Sequence, residues 1–349
     1  MNNDPKDFRF RTHYLGDFAT EPKINNAKKY ADAVERLADL QEKDKAGKRL
    51  GSVQQKDLAE LPAQIEILKD LKDIPTLSQT AQKRVNKCKR EWKYGITENL
   101  GNKYVTKGLM CEEDAISLNS KLEGVMMLKN KTKLSNNLIA GEWDIDWNSK
   151  KLGKVIDDTK VSYNAQSFDD TTTVKKAYYW QGTGYMWLTG ADYARIVHLL
   201  VNTPEILILK ECNDEIYPHY IKYINTLKSS EKISIEEYHL LDESIKRRTQ
   251  IFRNHIFTDE GWIYHLDGSS EYLKSGYWDY LVNSHFLDTS FKFVPIKDNQ
   301  RRKIFQFKRN EEDIKYIEQK LITAREYFIR SLDDDSEMIY DLTKDDFEN

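Results

Sequence analysis

Apolar residues recur at helical spacing between residues 27 and 93, a region otherwise rich in Lys, Glu, Ala and Leu. Spacings of three and four residues predict amphipathic helices here, and Ser78 is a suitable N-cap for the last of them. The positions that define the apolar faces are Tyr30, Val34, Leu37, Leu40, Val85, Cys88 and Trp92. The first part of the sequence is therefore expected to be helical.

The pattern changes after Gly108. It predicts a helix over Leu109 to Leu122, strands separated by turns between Val125 and Val161, a helix over residues 170 to 188, and a buried strand over Tyr193 to Val201. The order is helix, three strands, helix, strand, which indicates an α/β (α+β) core. A last amphipathic helix is indicated by Ile314, Ile317, Leu321, Ala324 and Phe328.

Acidic side chains fall on one face of two neighbouring predicted strands. Side chains alternate along the stretch Gly141 to Trp147, so Asp144 and Asp146 share one face and the apolar residues share the other. In the next predicted strand, Asp158 and Lys160 are two residues apart and again share a face. If the two strands pair, Asp144, Asp158 and Lys160 come together.

Two carboxylates at one edge of a sheet suit a hard divalent cation, which lowers the pKa of its bound water and neutralises charge on a phosphate. A lysine beside them can orient that water or help to deprotonate it. Glu112, on the preceding predicted helix, is a candidate for a further ligand. The alternative is structural, because short acidic motifs occur by chance in so charged a chain and two strands with polar outer faces would explain them.

A second group of polar residues lies on the helix predicted over 170 to 188. Gln181 and Tyr185 are four residues apart on one helix face, and both can donate hydrogen bonds to a phosphate or a base. The aromatic neighbours on this helix are expected to lie mostly in the core. They are Tyr178, Tyr179, Trp180 and Trp187.

Charge is distributed unevenly along the 349 residues. The net charge is −3, but the last nineteen residues alone carry −7, so the rest of the chain carries +4. Its bases form two clusters that could follow a polyanion, one between Lys83 and Lys93 and one between Arg301 and Arg309. A solvated helix face is the alternative for the first cluster.

Cysteine and histidine usage limits the kind of metal site. The three cysteines, Cys88, Cys111 and Cys212, are far apart and are expected to be small buried hydrophobes. The seven histidines also lack close pairing, so any site for a hard metal must be built from carboxylates. No run reaches the roughly 18 apolar residues of a membrane span, and the first residues are not a signal sequence. We therefore expect a cytoplasmic protein, in the host cytoplasm if it is viral.

Taken in chain order, these pieces resemble the PD-(D/E)xK nucleases, and within them the phage-type exonucleases of the lambda-exonuclease, or viral recombinase, group. The matching segments are Lys107-Gly108 with Glu112, Gly141 to Asp144, Asp158 to Lys160, Gln181 to Tyr185, and Trp187 to Gly190. Near the start, Arg9 to Gly16 resembles the segment that grips a terminal phosphate of DNA in the viral group, with Arg9 and Arg11 both candidates. The resemblance is good over residues 104 to 204.

The resemblance implies an αβββαβ core of the restriction-endonuclease type, a central mixed sheet flanked by helices, with helical additions on both sides of it in the chain. The residues it implies are Asp144, Asp158 and Glu112 for Mg²⁺ or substituting Mn²⁺, Lys160 as the catalytic lysine, and Gln181, Tyr185, Arg9 and Arg11 for DNA. Two positions differ from the family pattern: Trp143 stands in place of Pro, and Asp158 in place of Glu. Neither change removes a charge.

We predict four regions along the chain. Residues 1–103 form a helical region with the DNA-end segment, and residues 104–204 form the nuclease core. Residues 205–330 form an extension that ends in an amphipathic helix packed on the core, although 205–299 match no pattern. Residues 331–349 form an acidic tail, which we expect to be disordered.

The function implied is an Mg²⁺-dependent deoxyribonuclease, and in particular a 5′-to-3′ exonuclease acting on duplex DNA ends in recombination or replication. A homo-oligomeric ring and a single-strand annealing protein as partner are implied by the resemblance alone. One alternative is an endonuclease with the same metal site. Another is a non-catalytic DNA-binding module, against which the joint presence of Asp144, Asp158 and Lys160 counts.

Overall fold

The computed structural model describes residues 4–72, 76–97, 101–215, 234–257 and 296–333, with single residues between 218 and 229. The helices in the first half are α1 (Leu15–Phe18), α2 (Asn26–Lys45), α3 (Ser52–Leu71), α4 (Gln79–Tyr94), α5 (Lys103–Met110) and α6 (Glu112–Glu123). Those that follow are α7 (Ala165–Asp169), α8 (Lys176–Thr189), α9 (Glu205–Glu215), the helix Ile235–His255, and the last helix, Glu311–Asp333.

The strands form two sheets. They are β1 (Phe10–Arg11), β2 (Leu134–Ser135), β3 (Ile139–Gly141), β4 (Ile145–Ser149), β5 (Gly153–Val161), β6 (Tyr193–Leu199) and β7 (Arg302–Lys308). The larger sheet has the order β4-β5-β6-β7, with β5 and β6 parallel and the outer pairs antiparallel. The smaller sheet has the order β1-β3-β2, with β1 parallel to β3.

The predicted order of elements is confirmed: α6 is followed by β3, β4 and β5, then by α8 and β6. The central sheet is mixed, as expected, and the helical additions on both sides of the core are present. The helices expected between residues 27 and 93 are α2, α3 and α4, and Ser78 caps α4 by accepting a hydrogen bond from the backbone N–H of Ala81.

Several boundaries differ from the prediction. The helix expected from Leu109 to Leu122 is two helices, because α5 is capped earlier by Asn102 and ends at Met110, and α6 starts at Glu112. The stretch Gly141 to Trp147 is not one strand, since β3 and β4 belong to different sheets, although its buried and exposed side chains alternate as predicted. The helix expected from residue 170 begins only at Lys176.

Strand β7 was not anticipated, because its Lys and Arg residues suggested a phosphate-binding cluster. It pairs antiparallel with β6 and forms an edge of the central sheet, with Phe305 opposite Ile196. A region that we assigned to the extension after residue 204 therefore contributes a strand to the core sheet. The acidic tail, from residue 334 onward, and most of residues 216–233 and 258–295 lie outside the described residues.

The main apolar core joins the segment after residue 7, helix α4, helix α8 and the last helix. Its members include Phe10, Leu15, Phe18, Val85, Cys88, Trp180, Ile317, Leu321 and Phe328. All five apolar positions predicted for the last helix are buried. Cys88 and Cys111 are buried free thiols, as expected, whereas the side chain of Cys212 lies outside the described residues. Among the helices described, none has the length and apolar character needed to cross a membrane.

Candidate active site

Asp158 and Lys160 lie on the same face of β5, as the two-residue spacing predicts. The Nζ atom of Lys160 is 2.6 Å from Oδ2 of Asp158, which is only 3% exposed. Lys160 is the ion-pair partner of this buried oxygen, and no other partner is found for it in the described part of the chain. A cation bound here would share this oxygen with Lys160.

Charges around Asp158 change how both residues bind protons. Burial raises the pKa of Asp158 to about 6; Asp144 and Glu112 push it in the same direction, whereas Lys160 opposes them. Although burial alone would lower the pKa of Lys160, the carboxylates of Asp158 and Asp144 raise it above its ordinary value. Lys160 is thus a cation at neutral pH, and Asp158 holds its proton more tightly than an ordinary aspartate.

Asp144 lies just before β4 and is held by the strand beside it. Its Oδ2 atom accepts hydrogen bonds from the backbone N–H of Thr159, at 2.6 Å, and from the Thr159 hydroxyl, at 2.7 Å. The antiparallel register, with Ile145 opposite Asp157, carries Asp144 to this part of β5. Asp144 also lines the cavity described next.

A cavity of about 670 Å³ opens over these residues. Its lining includes Glu112, Asp144, Lys160, Tyr178 and His198, so the carboxylates from α6 and from the start of β4 meet the lysine of β5 there. Such a volume is within the range of ligand sites in proteins. Three of the predicted residues, Glu112, Asp144 and Lys160, thus line one cavity, and their catalytic and metal-binding roles stay predictions.

Glu112 does not join the other two carboxylates in a closed cluster. It forms an ion pair with Lys129 from the loop after α6, and its side chain is 22% exposed. In the ranges that the structure describes, no group of three or more His, Cys, Asp or Glu side chains is arranged to hold a metal ion. Glu112 is thus held by a lysine in this structure, and its role as a third metal ligand beside Asp144 and Asp158 stays a prediction.

Two carboxylates are nevertheless a suitable donor set. Mg²⁺ commonly takes one or two protein carboxylates and completes its shell with water and substrate phosphate. The buried Oδ2 atom of Asp158 and the fixed Asp144 carboxylate fit such an ion.

Two residues of the cavity were not identified from the sequence as part of the site. The ring of Tyr178 lies under the ammonium group of Lys160, 5.0 Å from Nζ to the ring centre. His198 is opposite Lys160 in the parallel pairing of β5 and β6. Burial first, and then Lys160 and Lys175, lower the pKa of His198 to about 4, so its imidazole is neutral. Only the strand register, which the sequence does not reveal, could have indicated His198.

Gln181 and Tyr185 lie beneath the cavity on α8. They are 9% and 4% exposed, and the Gln181 amide donates a hydrogen bond of 2.7 Å to the Tyr185 hydroxyl. Burial, with the nearby Asp158 carboxylate, raises the pKa of Tyr185 to about 12. Tyr185 also packs edge-on against Trp143. Neither residue of this pair lines the cavity, and a direct contact with DNA stays a prediction.

The segment Arg9 to Gly16 lies beside the site, packed on α8 and β3. A Cβ atom on Gly16 would come within 2.6 Å of the Ala177 backbone, so only glycine permits this approach. Arg11 forms an ion pair of 3.5 Å with Glu91. Burial first, and then Arg11, Arg84 and Lys160, lower the pKa of His13 to about 4. The charges of Arg11 and Lys160 therefore both act on His13.

Arg9 has a different environment from Arg11. Its Nε atom donates to the carbonyl of Asn136 at 2.9 Å, and its side chain lines a second cavity away from Lys160. Of the two candidates that the sequence left open, Arg11 is the one whose charge acts on His13 together with that of Lys160. The phosphate-binding role of both stays a prediction.

The two basic clusters have different surroundings. In the second cluster, Arg302 donates to Asn119 and pairs with Glu123, and Lys303 donates to the carbonyl of Phe168 at 2.6 Å. The expectation that this cluster follows phosphates is therefore wrong for these two residues, since both hold the central sheet to neighbouring elements. In the first cluster, Arg84 pairs with Asp17 at 2.6 Å and lies over the ring of Tyr14.

Comparison with known proteins gives a fold. The chain matches no protein-family model and no curated protein sequence. Among solved structures, it is similar to a phage-related exonuclease from Haemophilus somnus 129PT, with a TM-score of 0.52 and 21% identity over 95% of this chain and 97% of that one. An alkaline exonuclease from Laribacter hongkongensis has a TM-score of 0.41 at 10% identity, covering 75% of this chain and 86% of that one, which is too distant to support an argument. The chain therefore has an exonuclease-like fold.

Proposed function

We propose that this protein is a phage-type nuclease, and specifically a metal-dependent deoxyribonuclease that degrades duplex DNA from its ends. The observation that carries the proposal is that Asp144 and Lys160 line one cavity, with Nζ of Lys160 2.6 Å from the buried Oδ2 atom of Asp158. The overall likeness to a phage-related exonuclease supports the same assignment.

In this proposal Asp144 and Asp158 hold Mg²⁺, or Mn²⁺ in its place. The bound ion supplies an activated water and neutralises charge on the phosphate. Thr159 contributes by fixing one oxygen of Asp144 through two hydrogen bonds, so that the carboxylate keeps its orientation. Two carboxylates on adjacent strands of a packed sheet form a rigid site, which favours catalysis because little reorganisation is needed.

Lys160 acts as a cation rather than as a base. Its pKa is raised by the two carboxylates, so the amine keeps its proton at neutral pH. It can therefore donate hydrogen bonds to the attacking water or to a phosphate oxygen and stabilise the negative charge that develops there. The Tyr178 ring, 5.0 Å from Nζ, helps to keep the ammonium group over the cavity.

Glu112 and Lys129 have a supporting place in the proposal. Their ion pair lies at the N-terminal end of α6, where Glu112 lines the cavity. When a divalent cation and a polyanionic strand are present, Glu112 can turn toward the cation while Lys129 turns toward a phosphate.

Action in the host cytoplasm, a ring-shaped oligomer and a single-strand annealing partner belong to the same proposal by resemblance only.

The experiment that tests the proposal compares linear and closed-circular duplex DNA, each incubated with the protein in the presence of Mg²⁺ or a chelator. Asp158→Asn tests the site, because it removes the charge and keeps the shape. Asp146→Asn is the matched control, since Asp146 is an exposed aspartate two residues beyond Asp144 and does not line the cavity.

The expected result is loss of linear DNA only, dependent on Mg²⁺, abolished in Asp158→Asn and retained in Asp146→Asn. Cutting of the circular DNA with the same dependence would replace the exonuclease by an endonuclease. Absence of metal-dependent cleavage of either DNA would overturn the nuclease assignment and favour a DNA-binding module. Labels at the 5′ or the 3′ end of the linear DNA then give the direction of degradation.

A further inference from the structure

A second cavity lies on the small sheet, apart from the one over Asp144 and Lys160. It has a volume of about 370 Å³, in the range of protein sites that take small ligands. The side chains that matter for what it could bind are Arg9, Trp92, Lys133, Ser135 and Ala140. No step of the proposed nuclease reaction uses them.

The strand order of the small sheet places β3 between β1 and β2, which follow Arg9 and Lys133 in the chain. Ala140 on the central strand β3 pairs with Arg11 on β1 and with Ser135 on β2. Arg9 and Lys133 directly precede β1 and β2, and both line the cavity with Ser135 and Ala140. The small side chain of Ala140 therefore lies between the strand that follows Arg9 and the strand that follows Lys133.

The lining of this cavity carries two bases, Arg9 and Lys133, and one acid, Asp7, so positive charge is in excess there. In the part of the chain that the structure describes, Arg9 and Lys133 form no ion pair, and Arg9 has one hydrogen bond, to the carbonyl of Asn136. A third cation, Arg325 of the last helix, donates to the carbonyl of Phe8 at 2.9 Å and has a buried Nε atom without a hydrogen-bond partner. Burial is the main cause that lowers the pKa of Arg325, and the positive charge of Arg9 is the second. The guanidinium groups therefore repel each other, and a bound anion would relieve that repulsion.

Trp92 supplies an aromatic wall. Its ring meets that of Phe328 edge-on, at 6.1 Å and 88°, and Phe328 is in turn stacked on Phe8 at 4.6 Å. This packing fixes the orientation of the indole, which borders the cavity on its other side. A rigid aromatic ring beside basic side chains is the combination by which proteins bind single nucleic-acid strands, because the ring stacks on a base and the cations meet the phosphates.

We propose that this cavity binds one nucleotide of a single DNA strand, with its phosphate between Arg9 and Lys133 and its base against Trp92. The inference rests on the proposed nuclease function and adds a strand-binding subsite to it. Arg9 is two residues, or about 7 Å along a strand, from Arg11. Arg11 acts on His13, as Lys160 does. In this proposal, a strand that leaves the cavity over Asp144 passes Arg11 before it reaches the second cavity.

The experiment measures binding of a fluorescein-labelled oligothymidylate of about 12 nucleotides, and of a blunt hairpin duplex of similar length, by anisotropy with Ca²⁺ in place of Mg²⁺. The test variant is Arg9→Gln/Lys133→Gln. The control is Lys131→Gln/Lys150→Gln, which removes the same charge from exposed lysines that do not line this cavity. The full-length protein is used throughout.

For the test variant we expect binding to the oligothymidylate to weaken about tenfold, and the slope of log affinity against log salt to fall by about 0.7, since the contact with one phosphate is lost. The control variant should stay within about twofold of wild type. Equal losses in both variants would reduce the effect to overall charge and overturn the subsite. A loss confined to the hairpin duplex would overturn its preference for a single strand.

Trp92 is tested separately, because the ring also packs against the core. Trp92→Phe keeps an aromatic surface and should bind the oligothymidylate within about threefold of wild type, whereas Trp92→Leu should bind it about tenfold more weakly. Melting temperatures show whether both variants are folded. Equal binding by folded Phe and Leu variants would refute stacking.

Cleavage of linear DNA by the same preparations separates the two proposals. If wild type does not cleave, but Arg9→Gln/Lys133→Gln still loses strand binding, the nuclease assignment fails and the subsite stands. If wild type cleaves and this variant binds normally, the subsite fails alone.

Discussion

Replacement of Arg195 by Met should destabilise the protein strongly, although Arg195 does not line the cavity over Asp144 and Lys160. Its guanidinium lies on the opposite face of the sheet and binds both oxygens of Asp157, at 2.7 and 2.5 Å, and one oxygen of Glu123, at 3.0 Å. Asp157 is fully buried and has one other partner in the described chain, the amide of Asn119 at 3.0 Å. The variant would leave a buried carboxylate with that single hydrogen bond.

The size of the effect follows from these contacts. Removal of one partner from a buried ion pair costs about 3–5 kcal/mol, because the remaining charge stays away from water without compensation. For a chain of this length we expect the melting temperature to fall by roughly 5–10 °C. Asp157→Asn combined with Arg195→Met removes both charges and should recover part of that loss, by about 1.5 kcal/mol or more.

The assay is thermal unfolding followed by circular dichroism, with Lys121→Met as control. Lys121 pairs with Asp298 at a similar distance of 2.6 Å, but its side chain is 72% exposed, so its loss should change stability by less than about 1 kcal/mol. A melting temperature of Arg195→Met close to that of wild type would refute the reasoning. So would a double variant no more stable than Arg195→Met, because the isolated charge would then not be the cause.

Three further predictions concern the site and its support. The folded-state pKa of Asp158, about 6, lies above its unfolded value. The free energy of unfolding should therefore fall as the pH rises from about 4 to 6, because the buried carboxyl loses its proton in that range. Mg²⁺ requires that ionised form, so its affinity, measured from the shift in melting temperature, should be about fourfold higher at about pH 7.5 than at about pH 5.5, and Asp158→Asn should abolish this pH dependence. Thr159→Val, which removes the hydroxyl donor to Asp144, should weaken Mg²⁺ binding about tenfold in the same titration, and unchanged affinity would show that the backbone N–H suffices. Gly16→Ala should destabilise the protein by about 1–3 kcal/mol, because the added methyl group clashes with helix α8. Gly108→Ala has no atom within 4 Å of its added methyl group and should stabilise α5 by up to about 1 kcal/mol. Shifts of the same sign in the melting temperatures of the two variants would contradict this.

The sequence was sufficient to predict those parts of the site that depend on local periodicity. The two-residue repeat of a strand placed Asp158 and Lys160 on one face, and alternation placed Asp144 on the polar side of its stretch. The helical repeat identified the buried side of the last helix. These signals survive because each is contained within a few consecutive residues.

The parts that the sequence did not reveal depend on residues distant in the chain. Arg302 meets Glu123 across 179 positions, so its basic neighbours resembled a phosphate-binding cluster rather than an edge strand. His198 faces Lys160 only because β5 and β6 are parallel and in one particular register. The pairing of Lys129 with Glu112 depends on how the loop after α6 folds back, for which no local pattern exists.

The contact between the last helix and the segment after residue 7 affects how deletion experiments should be interpreted. Phe328 stacks on Phe8, and Arg325 donates a hydrogen bond to the carbonyl of Phe8, at the start of the segment that continues past Arg11 and packs on α8. A protein shortened before the last helix would lose the support of this segment as well as part of its core. Loss of activity in such a deletion would therefore not assign a catalytic role to the deleted residues. Point substitutions on the exposed side of that helix are the informative alternative.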